Sequence, residues 1–229
     1  MKYHQLLTED ARLTTELFRF ANRCAIRLHQ DYKFKKQFNM PTVEIDMAEI
    51  DTDINLIHDA VKYNKITYAA FDENFFGIAL QNNDIGINSN KIEITDIKGL
   101  SSAIMHEVRH ILDDYLSDSK SFTNYPNLDV PEEQKTKQLY KQYYKHHLEV
   151  SARVEQALMY LMYNSESFMS KEGIDNTAFI SAMNSAATKN NLTVDVVGNK
   201  IYKTFARRAS QLATHLYSEY KKFLSKNIS

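Results

Sequence analysis

The chain has 229 residues, of which 43% are hydrophobic and 11% aromatic. This is enough apolar material for a real core, and it excludes wholesale disorder. Basic and acidic residues are nearly balanced, at 28 and 29, so no global field favours nucleic acid or an anionic membrane as a partner. Five glycines and three prolines are too few for a sheet-rich fold with many tight turns, and this favours a mostly helical chain.

The sequence shows no feature that directs the chain to a membrane or an oxidising compartment. Residues 1–18 lack the apolar run and the small-residue cleavage site of a signal peptide. No apolar stretch approaches the ~20 residues needed to span a bilayer. Cys24 is a single cysteine, so neither an intrachain disulfide nor a cysteine-rich zinc site is available. We therefore expect a cytoplasmic protein with neither a membrane nor a nucleic-acid partner.

The first half of the chain predicts one helix followed by a small sheet. The helix runs from a cap at Thr8 to about Asp31, and a break follows at Pro41. A short helix is expected within residues 51–63. Segments rich in β-branched and aromatic residues predict three to five mainly antiparallel strands, at 42–46, 66–71, 75–81 and 85–88. The polar linker 81–84 predicts that the last two form a hairpin.

The second half predicts helices. Asp96 can cap a helix that runs to about Ser117, and Pro131 can open another that runs to about Asn164. A weaker helix is expected at 176–187 and a last one at 196–223. The fold class is therefore α+β, mostly helical. We expect a domain at 1–165 with a helical extension at 166–229 packed on it, or one single domain.

One motif indicates a metal-binding site, and it lies in the predicted helix that begins after Asp96. Residues 105–114 read MHEVRHILDD. His106 and His110 are four apart, so both imidazoles lie on one helix face and can bind one Zn²⁺. Glu107 lies beside them, where it can hold a metal-activated water and take its proton. The alternative is a solvated helix in which Glu107 pairs with Arg109 or a lysine.

The motif and its surroundings resemble the zincin metallopeptidases, and in particular compact gluzincin-like members found in bacteria and phages. The resemblance covers about residues 85–162, and a second part of it is the segment HLEVSARV at 147–154. It implies a zincin fold, a Zn²⁺ cofactor and a peptide or protein substrate. By position it makes Glu149 the third zinc ligand. The longer metzincin signature is absent, since position 113 is Asp and position 116 is Leu.

The residues themselves leave the third ligand open. A catalytic zinc needs a third protein ligand and an open position. Glu149 fits, but Glu155, His146 and His147 are rivals. Three charged side chains are candidates to support the ligands through hydrogen bonds or ion pairs, namely Asp113, Asp114 and Arg153.

A substrate strand is also expected, because zincins lay an extended peptide along an edge strand. Gly86, Ile87 and Asn88 precede the motif, and Gly86 would allow a close backbone approach. The chain is thus predicted to be a zinc metallopeptidase with Glu107 as general base. Two alternatives stay open, a non-catalytic zincin-like binding or assembly protein and a hydrolase of non-peptide substrates. The C-terminal helices are candidates for an oligomer or partner interface.

Overall fold

The computed structural model of the protein describes residues 11–37, 42–71, 76–79, 84–117 and 146–227. Its helices and strands follow the chain in the order α1 (Ala11–Lys36), β1 (Val43–Asp46), α2 (Asn55–Val61), β2 (Lys65–Ala69), β3 (Gly77–Ala79), β4 (Ile85–Asn88), α3 (Ile97–Ser117), α4 (His147–Tyr163), α5 (Asn176–Lys189), α6 (Val194–Val197) and α7 (Asn199–Asn227). The α+β, mostly helical class predicted from the sequence is therefore confirmed.

The strands form a mixed sheet in the order β1-β2-β4-β3. β1 pairs with β2, and β3 with β4, in antiparallel fashion, so the predicted hairpin pairing is confirmed. β2 and β4 are parallel, which the expectation of a mainly antiparallel sheet did not include. After β2 the chain forms β3 at the edge of the sheet. It then turns back as β4, which lies between β2 and β3 and therefore runs parallel to β2.

The helix α3 begins and ends where the sequence predicts. The Asp96 carboxylate accepts a hydrogen bond from the Gly99 backbone N–H at 2.9 Å, which satisfies one of the free donors at the helix start. This bond leaves no room for a side chain at Gly99, because an added Cβ would lie 2.2 Å from Asp96 Oδ2. One side of α3 contacts β3 and β4, and its apolar residues there are fully buried.

By contact density the chain divides into two compact units, residues 15–125 and residues 1–14 with 126–229. This division differs from the predicted boundary after residue 165, because α4 packs on α5 and α7. In the first unit α1 extends to Lys36, beyond the predicted end near Asp31. The proposed cap at Thr8 and the helix start at Pro131 lie outside the described residues.

The second unit is helical in its described part. The last long helix begins at Asn199 rather than 196, because Gly198 adopts a φ of 81° and separates α6 from α7. The centre of α7 is buried on its apolar side, at Phe205, Ala209 and Leu212. Among the described helices, none is both long enough and apolar enough to cross a bilayer.

The cap of α3 gives a first prediction. Replacing Asp96 with Ala removes the acceptor for Gly99 N–H and should lower the free energy of unfolding by about 1 kcal/mol. Urea denaturation measures the change. The control is Asp59→Ala, which removes an exposed ion pair with Lys62 at 3.5 Å and should change stability by less than about 0.5 kcal/mol. Equal losses of unfolding free energy in both variants would show that the Asp96 cap stabilises the protein no more than an exposed ion pair does.

Candidate metal centre

His106 and His110 point their imidazoles at one another from successive turns of α3. Their Nε2 atoms lie 3.1 Å apart, and the ring planes are inclined by 82°. Two nitrogens bound tetrahedrally to one zinc, each at ~2.05 Å, would lie about 3.3 Å apart. The observed separation therefore fits a shared divalent cation. His110 is buried and His106 is half-buried.

Glu107 is buried on the same helix, against the outer strand of the sheet. A Cβ added to Gly77 of β3 would lie 3.4 Å from both Cγ and Oε1 of Glu107. Glu107 is 6% exposed and His110 is 5% exposed, which contradicts the alternative of a solvated helix face.

The carboxylate predicted to be the third ligand is that of Glu149, which belongs to the helical unit of residues 1–14 and 126–229. Glu149 belongs to the first turn of α4 and is 1% exposed. Arg153, one turn later on α4, lies 3.7 Å from the Glu149 carboxylate. The predicted pairing of these two residues is present, and it is buried rather than exposed.

Glu155, a rival for the third ligand, is engaged elsewhere. Its carboxylate binds Arg208 of α7 and accepts a hydrogen bond from the Thr14 hydroxyl at 3.1 Å. Arg208 also donates to Thr14 at 3.0 Å, which closes a buried triad. Glu155 is therefore a structural ion-pair residue.

His146 and His147 stand at the start of α4. His146 is the residue that precedes the helix, with an extended backbone, and it makes no side-chain cap hydrogen bond there. The His147 side chain lies outside the described part of the chain.

Of the acidic candidates next to the motif, Asp113 has an identified partner. Both of its oxygens face the guanidinium of Arg109, at 3.0 and 3.1 Å, and both side chains are inaccessible to solvent. This pair lies one turn along α3, as residues i and i+4. Asp114 is half-buried. The proposed hydrogen bond from a ligand imidazole to either carboxylate remains a prediction.

The expected substrate strand is wrong. Gly86, Ile87 and Asn88 belong to β4, which is hydrogen-bonded to β2 on one side and to β3 on the other. β4 therefore has no free edge. Asn88 is also fully buried, and its side-chain amide binds the backbone of Phe71.

Within the described residues, β3 is the edge strand on this side of the sheet. Sequence reasoning missed Gly77, although an isolated glycine in the predicted strand 75–81 is the same signal of close approach that was assigned to Gly86. The single cysteine, Cys24, is fully buried, and burial raises the pKa of its thiol well above the ordinary value.

The chain was compared with known proteins in three ways. No protein-family model, curated protein or solved structure matches the chain.

The buried ion pair of Glu155 gives a second prediction. Glu155→Ala leaves the Arg208 charge buried without its partner and should lower the free energy of unfolding by about 3–5 kcal/mol. Its metal content, measured on the folded protein, should not change. Glu219→Ala is the control, since it removes a partly exposed contact with His215 at 3.7 Å and should cost less than about 1 kcal/mol.

If Glu155→Ala does not fold, the double variant Glu155→Leu/Arg208→Met removes both charges and should recover much of the stability. Loss of bound metal from this folded double variant would make Glu155 a ligand after all.

Proposed function

We propose that this protein is a zinc-dependent metallohydrolase that cleaves peptide bonds. His106, His110 and Glu149 are the proposed ligands, and Glu107 is the proposed general base. The observation that carries the proposal is the 3.1 Å separation of the two Nε2 atoms, with a buried glutamate one residue away on the same helix. A zincin-like arrangement of sheet and helix is part of the proposal.

The donor set favours zinc with an open coordination position. Two imidazoles and one carboxylate are three protein ligands, the number typical of catalytic rather than structural zinc sites. The same set also occurs in non-haem iron oxygenases. The adjacent Glu107 favours the hydrolytic alternative, because an activated water needs a base to take its proton and an oxygenase does not.

When bound, the cation would lower the pKa of a coordinated water toward neutrality and polarise a carbonyl. The chain's own residues supply the rest. Glu107 holds the attacking water by a hydrogen bond, accepts its proton, and passes a proton to the leaving amine. Its burial keeps competing water from the carboxylate. Arg153 orients the Glu149 carboxylate through the buried ion pair at 3.7 Å.

The substrate is proposed to lie along β3. The Cα–Cβ direction of Gly77 in this strand faces Glu107, and an extended peptide can pair with an edge strand through backbone hydrogen bonds. Strand β3 replaces β4 in the prediction made from the sequence.

The proposed function is tested with two variants of the metal site. His106→Ala should abolish stoichiometric zinc, measured by elemental analysis that also counts iron and manganese. Glu107→Gln should keep the metal and lower cleavage of a mixed peptide library by about 10²- to 10⁴-fold, the usual contribution of a general base. His58→Ala, which changes an exposed histidine, is the control and should behave as wild type.

Two results would contradict the proposal. One is a metal-loaded wild type that cleaves no peptide of the library. The other is a Glu107→Gln variant with full activity. A protein that binds zinc and is inert in both forms would be a binding module.

The ion pair on α4 gives a further prediction. Arg153→Met should weaken zinc affinity by about 10- to 100-fold, because the Glu149 carboxylate loses the group that orients it. Competition with a chromogenic chelator measures the affinity. The control is Arg27→Met, which removes an exposed ion pair with Asp31 at 3.0 Å and should leave zinc affinity unchanged. Equal affinities of the two variants would remove Arg153 from the site.

A further inference from the structure

The backbone of β3 offers hydrogen-bonding groups on its outer side. The Asn88 N–H donates to the Phe76 carbonyl at 3.0 Å, and Gly77 lies opposite Ile87. Residues of an antiparallel strand alternate between facing and not facing their neighbour with N–H and C=O. Since Phe76 faces β4, the N–H and C=O of Gly77 point away from β4. An added strand would therefore form its paired hydrogen bonds with Gly77.

The side chains of β3 alternate in the same way. The Cα–Cβ direction of Gly77 faces Glu107, so Phe76 and Ile78 belong to the opposite face of the sheet. Both are large apolar residues, and they are 64% and 38% exposed. Edge strands normally carry charges or prolines that prevent pairing with another chain. In β3, the exposed apolar side chains of Phe76 and Ile78 flank Gly77, whose backbone N–H and C=O point away from β4.

We propose that Phe76 and Ile78 select the substrate. They favour extended peptides with apolar side chains at both positions flanking the residue that pairs with Gly77. This inference rests on the proposed function for the place of the peptide beside Glu107. The flanking residues would form non-hydrogen-bonded pairs with Phe76 and Ile78, in which side chains approach most closely. Each apolar cross-strand pair is expected to improve affinity by up to about fivefold.

The test measures peptide binding apart from cleavage. Zinc-loaded, full-length Glu107→Gln protein is titrated into two fluorescein-labelled decapeptides, followed by anisotropy. One contains a Leu-Xaa-Leu triplet and the other the matched Ser-Xaa-Ser triplet. The Leu peptide should bind more tightly. Adding Phe76→Ser and Ile78→Ser should raise the Kd for the Leu peptide by about 5- to 20-fold and leave the Kd for the Ser peptide unchanged.

The chain offers matched controls. Phe34 and Ile26 of α1 are 64% and 40% exposed, close to the values for Phe76 and Ile78. Replacing both with Ser removes the same kind of surface at another place and should not change either Kd. Circular dichroism and zinc content confirm that every variant is folded and loaded.

The outcomes separate this inference from the proposed function. Equal binding of the two peptides by the parent protein, or an equal effect of the Phe34/Ile26 pair, overturns the selection by Phe76 and Ile78. In that case cleavage by the protein with Glu107 intact still supports the hydrolase. If binding discriminates as expected but the intact protein cleaves neither peptide, the selective surface stands and the hydrolase assignment is lost.

Discussion

The candidate centre depends on the rotational setting of α3. Two side chains four residues apart share a helix face, but that face points toward a metal only if the helix is held at one angle about its axis. The apolar residues Ile104, Val108 and Leu112 are fully buried, and their close packing in the core holds the helix at one angle. A rotation by one residue, about 100°, would turn both imidazoles away together. The core therefore determines whether the motif has a site at all.

Buried charge is concentrated on the two helices that carry the proposed ligands. The pair Arg109–Asp113 lies on α3, and Glu149–Arg153 lies on α4, each spaced by four residues. Buried ion pairs add little net stability, because desolvation offsets their attraction. What they do supply is a fixed side-chain conformation, since leaving either charge unpaired is costly. That property suits a site whose ligands must be in place before a cation arrives.

Local rules predicted what is local in this fold. The capping by Asp96, the length of α3 and the helical spacing of the histidines all depend on residues within a few positions. The order of the strands does not, and so Gly86 and Gly77 gave the same signal although only Gly77 stands on the described edge. Glu155 lies six residues beyond Glu149, about 240° around the helix. Its partner Arg208 is 53 residues further along, a distance at which the sequence carries no readable pairing rule.

The position of Glu107 also bears on the substrate of the proposed hydrolase. Sites for small molecules are usually concave and enclose most of the ligand surface. Here the proposed base lies beside β3, in which the N–H and C=O of Gly77 point away from β4. Only a ligand with its own repeating donors and acceptors can match such an edge, and a polypeptide in extended conformation has that repeat. The geometry of β3 therefore favours a peptide over the non-peptide substrates that the metal chemistry alone would allow.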